Sequence, residues 1–354
     1  MDLRKAIGSK AVAAVYTTNA SNRQAYLGSG LFPATKKMGL DLKWIKGNKG
    51  LPVSLAPSAF DAVSTIRSRE GIVINETEMA FFRESMLLKE KDRQDILRAA
   101  DANDPYLIDT LNKVFDDADT LVQGAEVVPE RMIMQLLTPA NGHPSISIAA
   151  NGSTYAYNYD ADGSYATNNF TSLSGTSAWT DHTNSDPIAD VEAAQDAVEA
   201  LTGERPTILI VNSVTMGHIK KNDTVKGYIV ANANSGSVMI TDARVKELFK
   251  TELGVTIVVY NKQFKNESGV AQKFFADGFA TLVPNGQLGK TYYGTTPEEA
   301  DLLSKADVDV SIVNTGVAVT VSTSNDPVQT KTTVSEIVLP SYERMASTYV
   351  IKAF

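Results

Sequence analysis

The most regular apolar pattern in the chain begins just after Asp104 and has the period of an α-helix. Asp104 and Pro105 suit an N-cap and a first helical position. The apolar stripe that follows alternates spacings of four and three residues and comprises Leu107, Leu111, Val114, Ala118, Leu121 and Ala125. Such a stripe lies on one face of a helix. Because Pro129 lacks a backbone N–H, we expect it to kink or restart this long, half-buried helix.

Shorter runs before this helix have the patterns of strands. Residues 40–47 alternate between apolar and polar and predict a half-buried strand. Residues 60–90 carry two β-rich runs separated by the charged sequence RSREG, where Gly71 suits a turn. A two-stranded ribbon buries too little surface to be stable alone. We therefore expect something outside the chain to support it.

Helices and strands alternate in the second half of the chain. The dipeptide Asn151-Gly152 lies between alternating runs and predicts a tight β-hairpin. Capping residues mark helices over 186–203 and 241–254, and short apolar runs mark buried strands over 207–212 and 256–261. The chain is again β-rich after residue 306. This order predicts an α+β or α/β fold and excludes an all-β one.

The first 36 residues have the pattern of an arm. A weakly helical start is followed by an irregular segment that contains Gly28 and Pro33. Tyr26, Leu31 and Phe32 are apolar residues in this segment and need a surface to bury against. In a flexible arm, another subunit can supply that surface, so we expect these three residues to anchor the arm.

Composition narrows the function more by exclusion than by direct indication. The chain has 354 residues, 43% of them apolar, which is typical of a folded protein with two domains or one large domain. Its net charge of −8 argues against a protein that binds nucleic acid through overall positive charge. It has no cysteine, and its three histidines show no metal-ligand spacing. Its apolar runs fall short of the ~20 residues of a membrane span.

Three segments imitate chemical sites without meeting their requirements. The sequence VPNGQLGKT (283–291) ends like a phosphate-binding loop, but proline occupies the position of the first glycine, and a strand or turn follows it instead of a helix. His218 follows a strand without an ordered acidic partner, so we interpret it as a packing or surface residue. The acidic segment 160–164 is a weak cation candidate and more typical of a polar loop. We therefore predict no catalytic residue, no metal and no cofactor.

Several blocks, spread in order over most of the chain, resemble the phage-lambda-type major capsid protein E family. The first covers residues 26–71, from YLGSGLFPATKKMG to STIRSREG, and continues with ETEMAFFRESMLLKEKDRQDI. Trp179 followed by SDPIADVEAA resembles a stretch that enters a helix in that family. The segments GVTIVVYNKQF and LVPNGQLGKTYYGTTPEE are similar to its late strand-and-loop region.

This resemblance implies the Hong-Kong-97-type phage capsid fold, an α+β fold with an N-terminal arm, an extended loop, a peripheral domain with a long spine helix, and an axial domain. The implied boundaries are 1–38 for the arm, 39–51 for a peripheral strand, 52–90 for the extended β-hairpin loop, 91–139 for the peripheral domain with its spine helix, 140–305 for the axial domain and 306–354 for a return to the peripheral sheet.

The implied function is assembly. Identical chains would form hexamers and pentamers and close into the icosahedral head of a tailed phage around packaged double-stranded DNA, with assembly in the host cytoplasm. The implied partners are other copies of the chain, a separate scaffolding protein, a portal, a decoration protein and non-specifically contacted DNA, with no membrane. On the extended loop we expect inter-subunit contacts from Arg67, Arg69, Glu70, Glu76, Glu78, Arg83 and Glu84.

Other classes of protein remain alternatives. An encapsulin-type nanocompartment has the same fold but encloses enzymes. A tail-tube protein would lack the long helix. A bacterial surface or carbohydrate-binding protein would explain the Ser/Thr/Asn/Tyr-rich middle of the chain but would need a secretion signal. An unrecognised enzyme is the least favoured of these alternatives.

Overall fold

A computed structural model describes residues 9, 14, 25–45, 74–90, 105–150, 153–231, 239–302, 309–325 and 328–354. The described residues form a mixed α+β fold and divide into two compact units. The first unit takes those within 1–42, 76–131 and 290–341, and the second takes those within 43–75, 132–289 and 342–354.

The helices and strands have the following bounds. The α-helices are α1 (Leu27–Leu31), α2 (Pro105–Leu137), α3 (Ser164–Asn168), α4 (Pro187–Thr202), α5 (Ser213–Lys221), α6 (Asp223–Ala231), α7 (Asp242–Glu252) and α8 (Pro297–Leu302). The strands are β1 (Ala34–Lys36), β2 (Asp41–Ile45), β3 (Ile74–Glu78), β4 (Ala80–Leu88), β5 (Ser145–Ala150), β6 (Ser153–Asn158), β7 (Phe170–Ser172), β8 (Ile208–Val211), β9 (Thr256–Val259), β10 (Gln263–Lys265), β11 (Ala271–Lys273), β12 (Phe279–Val283), β13 (Lys290–Tyr293), β14 (Asp309–Val313), β15 (Val317–Asn325), β16 (Val328–Ser341) and β17 (Tyr349–Lys352).

The predicted long helix is confirmed as α2, which begins at Pro105 and contains 33 residues. Pro129 lies inside it, and the helix continues to Leu137, so a restart at Pro129 is wrong, whereas a kink there stays a prediction. In the first unit, the buried side chains Leu121, Val122 and Ala125 of α2 share a core with four valines of the sheet, Val313, Val317, Val319 and Val334. The stripe before residue 119 lies outside the described side chains.

The first unit contains a six-stranded sheet built around β16, which has 14 residues. Its order is β1-β13-β16-β15-β14, and β4 also pairs with β16. β15 pairs with one edge of β16, whereas β4 and β13 pair one after the other with the opposite edge. Valine and threonine dominate β15 and β16, and such β-branched residues favour strands. The predicted β-rich region after residue 306 is thus confirmed up to Ser341.

The predicted ribbon over 52–90 differs from the structure at its C-terminal end. β3 pairs with β2 in a two-stranded sheet, but β4 pairs along nine residues with β16. Residues 80–88 are therefore stabilised by the chain's own six-stranded sheet, because the long edge of β16 offers a complete set of backbone hydrogen-bonding partners. The predicted turn at RSREG lies outside the described residues.

The second unit contains a five-stranded sheet of order β7-β17-β12-β8-β9. β8 and β9, predicted as buried strands, pair in parallel. Residues of α4, α5, α6 and α7 share a core with this sheet around the fully buried Trp179 and Phe249. The predicted caps are confirmed on α4, where the Asp186 side chain accepts from the backbone N–H groups of Ile188 and Ala189 and Gly203 ends the helix with φ 74°.

The C-terminal segment departs from the expected return of 306–354 to one sheet. β17 lies between β7 and β12 in the five-stranded sheet of the second unit, with Val350 and Ile351 buried. Its apolar side chains complete the core around Trp179, which explains why it pairs there. Helices α5 and α6 are further elements that the apolar pattern does not predict.

Candidate functional site

The three proposed arm anchors lie at the start of the described N-terminal segment. Leu31 and Phe32 are only 8% and 1% exposed, whereas Tyr26 is half-buried. Thr291 Oγ1 donates to the carbonyl of Phe32 at 3.0 Å, and the backbone N–H of Thr291 donates to Pro33 at 3.0 Å. Leu31 and Phe32 therefore bury within their own chain, and the expectation that their surface comes from another subunit is corrected.

A buried carboxylate also holds this segment. The backbone N–H of Gly28, in the first turn of α1, donates to Glu130 Oε2 at 2.9 Å. Glu130 belongs to α2 and is buried. A carboxylate near a helix N-terminus is favoured because the backbone dipoles place positive charge there. The arm is thus fixed at its base by both apolar burial and a charge-assisted bond.

The predicted contact residues of the extended loop are only partly described. Arg67, Arg69 and Glu70 lie outside the described residues, and Glu76 lies in β3 without a described side chain. Glu78, Arg83 and Glu84 are exposed. The inter-subunit role of all seven residues stays a prediction.

Arg83 is committed to an ion pair within the chain. Its guanidinium pairs with Glu298 of α8 and lies over the Phe81 ring, 4.8 Å from the ring centroid. Glu298 is buried and also accepts a hydrogen bond from Ser335 Oγ at 2.8 Å. A buried carboxylate needs such partners, because burying an unpaired charge is costly.

Two acidic residues in the first turn of α8 form ion pairs with basic residues from β1 and β4, which lie in the predicted arm and the predicted extended loop. Glu298 pairs with Arg83 from β4, and the neighbouring Glu299 pairs with Lys36 from β1 at 2.5 Å. Lys36 Nζ also donates to the carbonyl of Gly294 at 3.0 Å. The sequence suggested neither pair, because the partners are more than 200 residues apart.

Glu336 is a buried acid that the sequence pattern does not reveal. It lies on β16, is 1% exposed, and neither carboxylate oxygen has a hydrogen-bond partner among the described residues. Burial raises the pKa of Glu336 well above its usual range, and the nearby charge of Glu126 raises it further. This carboxyl is therefore held in its neutral form well above the pH at which an exposed glutamate ionises.

The remaining polar candidates have structural partners. His182 Nε2 and His218 Nδ1 lie 3.0 Å apart, and burial, followed by the charges of His182 and Lys221, lowers the pKa of His218. Asp160 is buried and accepts from the backbone N–H groups of Tyr165 and Ala166 at 2.9 and 3.1 Å, so its loop is a structural turn. Among the described residues, no group of three or more potential metal ligands occurs.

The segment that imitates a phosphate-binding loop connects two strands. It lies between β12 and β13, and Gly286 adopts φ 97°. Arg344 Nη1 lies 3.4 and 3.3 Å from the carbonyls of Asn285 and Gln287. A strand, β13, follows the loop, so the segment lacks the helix that a phosphate-binding loop opens.

Comparisons with solved structures give the class of the fold. A protein assigned as the capsid protein of a prophage in E. coli CFT073 matches with a TM-score of 0.56 at 14% identity, covering 98% of each chain. A phage-related protein of Bordetella bronchiseptica RB50 matches with a TM-score of 0.55 at 17% identity, covering 96% of each chain. The chain therefore has the fold of a phage capsid protein.

The family follows from the sequence. The family model described as phage major capsid protein E matches residues 10–353, and the chain belongs to that family. It is thus a phage major capsid protein, a structural component of the virion in a family of capsid proteins and not of enzymes. The search of curated proteins found no match.

An encapsulin is also among the structural matches, at a low TM-score. The SrpI encapsulin of Synechococcus elongatus PCC 7942 matches with a TM-score of 0.42 at 12% identity, covering 91% of this chain and 85% of the encapsulin, which is too low a likeness to argue from. No helix in the described part of the chain is long and apolar enough to cross a membrane.

Proposed function

We propose that this chain forms the icosahedral head of a tailed double-stranded-DNA phage by assembling as hexamers and pentamers. The observation that carries the proposal is the family match over residues 10–353, combined with end-to-end similarity to a prophage capsid protein. The function is mechanical: each subunit contributes distinct complementary surfaces that close a symmetric shell.

The subunit architecture that we propose is of the Hong-Kong-97 type. The first unit would be the peripheral domain, with α2 as its spine helix, and the five-stranded sheet of the second unit would belong to the axial domain. The residues up to 38 would form the arm, and residues 52–90 would form the extended loop, which ends with β4. The pairs from Lys36 and Arg83 to the first turn of α8 support this assignment, because they fix the base of the arm and β4 to one rigid element.

The partners that we propose follow from the same role. A separate scaffolding protein would guide closure, a portal would occupy one vertex, and a decoration protein could reinforce the outer surface. The net charge of −8 suits an inner wall that contacts DNA non-specifically without holding it firmly. Assembly would take place in the host cytoplasm.

Electron microscopy and light scattering of the purified chain, alone and with the scaffolding protein of its phage, test the proposal. We expect closed shells, tubular polyheads or capsomers of five and six subunits. A strictly monomeric chain under all conditions, scaffold included, would refute it. In particles from the phage, nuclease-protected double-stranded DNA is expected, whereas a protein cargo would support the nanocompartment alternative.

A further inference from the structure

In the hairpin formed by β5 and β6 of the second unit, one strand edge pairs with no other strand of the described part of the chain. Its two strands pair in antiparallel register from Ser145↔Asn158 to Ala150↔Ser153. Among the described strands, no third strand joins this sheet. An isolated two-stranded hairpin gains stability when a further strand is added to it.

The hydrogen-bonding pattern shows which backbone groups point away from the hairpin. The N–H of Tyr159 donates to Pro144, and the backbone of Ser147 bonds outward to the side chain of Gln135. Residue pairs in an antiparallel ladder alternate between hydrogen-bonded and non-hydrogen-bonded pairs. The backbone N–H and C=O groups of every second residue therefore point away from the partner strand. On β6 the outward residues are Thr154, Ala156 and Asn158, and on β5 they are Ser145, Ser147 and Ala149.

The two edges differ in how they are protected. On β5, the amide of Gln135 closes the edge: its Nε2 donates to the carbonyl of Ser147 at 3.1 Å, and its Oε1 accepts from the N–H of Ser147 at 3.0 Å. On β6, Thr154, Ala156 and Asn158 are all exposed, and their backbone groups have no backbone partner among the described residues. A free edge of this kind is a template for another strand.

The sequence of the hairpin lacks the features that normally prevent pairing. Residues 145–158 contain no charged residue and no proline, although 21% of the whole chain is charged. Natural edge strands are blunted by lysine, proline or bulges, and like charges directly opposite each other would disfavour self-pairing. This edge is therefore compatible with an identical copy of itself.

We propose that β6 pairs with β6 of a second copy of this chain, in antiparallel register about a two-fold axis at Ala156. This inference rests on the proposed function and names one inter-subunit contact within the shell. In this register Thr154 faces Asn158 of the second copy. Tyr155, which already stacks on Tyr157 at a centroid distance of 6.5 Å, faces Tyr157 of the second copy. Among two-fold registers of β6, the one centred at Ala156 is the one that pairs Tyr155 with Tyr157, and aromatic cross-strand pairs are stabilising.

Single cysteines test this register directly, because the chain contains none of its own. In a hydrogen-bonded antiparallel pair the Cα atoms are about 5.5 Å apart, a distance that a disulfide can bridge. In assembled particles, we expect oxidation to shift Ala156→Cys from monomer to disulfide-linked dimer on a non-reducing gel. The matched control is Ala149→Cys, on the closed edge of the same hairpin, which should stay monomeric.

A mixing experiment keeps the test decisive if Ala156→Cys fails to fold. Particles that contain both Thr154→Cys and Asn158→Cys chains should form only the mixed dimer, since each residue faces the other across the axis. Two outcomes would overturn the inference and leave the proposed function standing. One is normal particles with no cross-links at either set of positions, and the other is cross-links from β6 to a different protein. A wild-type chain that forms neither shells nor capsomers would instead refute the proposed function.

Discussion

The indole Nε1 of Trp179 donates a hydrogen bond to Asp190 Oδ2 at 2.8 Å, and this bond ties the centre of the second unit's core to the first turn of α4. Trp179 is fully buried, and burial raises the pKa of Asp190 although the bond from Trp179 opposes that rise. We expect Trp179→Phe to lower the free energy of unfolding by about 2–4 kcal/mol, because it leaves both a cavity and a half-buried carboxyl without its donor.

Denaturant unfolding of the dissociated chain measures this loss. Asp190→Asn is the matched control, since it keeps an acceptor oxygen and should change the free energy of unfolding by less than about 1 kcal/mol. Equal stability of Trp179→Phe and the wild type would mean that the bond contributes nothing.

The buried carboxyl of Glu336 should make stability depend on pH. Its pKa is raised in the folded state, so between the unfolded and folded pKa values the native chain binds more protons than the unfolded chain. The stabilisation is therefore complete below the unfolded pKa, near pH 4.5, and is lost as pH rises through the folded pKa. The slope can reach about 1.4 kcal/mol per pH unit.

The variant Glu336→Gln should remove this slope and unfold less readily than the wild type at neutral pH. Unfolding curves at a series of pH values above 4.5 compare the two chains. A wild-type slope that survives in Glu336→Gln would assign the pH dependence to other groups.

Two glycines should respond to alanine in opposite directions. A Cβ on Gly316 would lie 2.6 Å from Cβ of Tyr293, so Gly316→Ala forces the sheet to shift and should cost about 1–3 kcal/mol. A Cβ on Gly124, an exposed position within α2, meets nothing within 4 Å. Gly124→Ala should therefore stabilise the chain by about 1 kcal/mol through helix propensity. Thermal unfolding distinguishes the two, and a shift of the same sign in both would contradict the packing.

Adjacent residues of β4 should separate folding from assembly. Arg83→Gln removes the partner of the buried Glu298 and should lower the free energy of unfolding by about 1–3 kcal/mol. Glu84→Gln changes an exposed side chain and should alter that free energy by no more than about 0.5 kcal/mol. If Glu84 contacts a neighbouring subunit, its variant should still assemble less well.

Particle yield at matched protein concentration measures the second effect. Wild-type assembly of a correctly folded Glu84→Gln chain would remove Glu84 from the set of contact residues.

Local patterns predict the elements whose signals are contained within a short stretch of sequence. The start of α2 at Pro105, both caps of α4 and the pairing of β5 with β6 depend on neighbouring residues alone, and local patterns predict all three. Local patterns do not predict the partners of strands that lie far apart in the sequence, because that pairing depends on distant residues. β4 has the composition of a ribbon strand, and only the presence of β16 decides that it joins a sheet.

The same limit applies to the candidate site. Charged residues were identified on the predicted loop, but the burial of Glu298 that commits Arg83 to an intrachain pair depends on the tertiary structure. The sequence identifies Leu31 and Phe32 as apolar residues that need burial, but it does not identify the surface that covers them. Glu336 lies in an ordinary β-rich run, and no pattern in that run signals a neutral buried acid.

The place of β17 in its sheet has a consequence for how the protein is made. β17 follows every other strand of that sheet in the sequence, yet it lies between β7 and β12 and is the partner that connects β7 to the rest. The sheet cannot close until the ribosome has passed residue 352. Nascent or truncated chains that lack β17 consequently lack a finished second unit, which can be completed only after β17 has been synthesised.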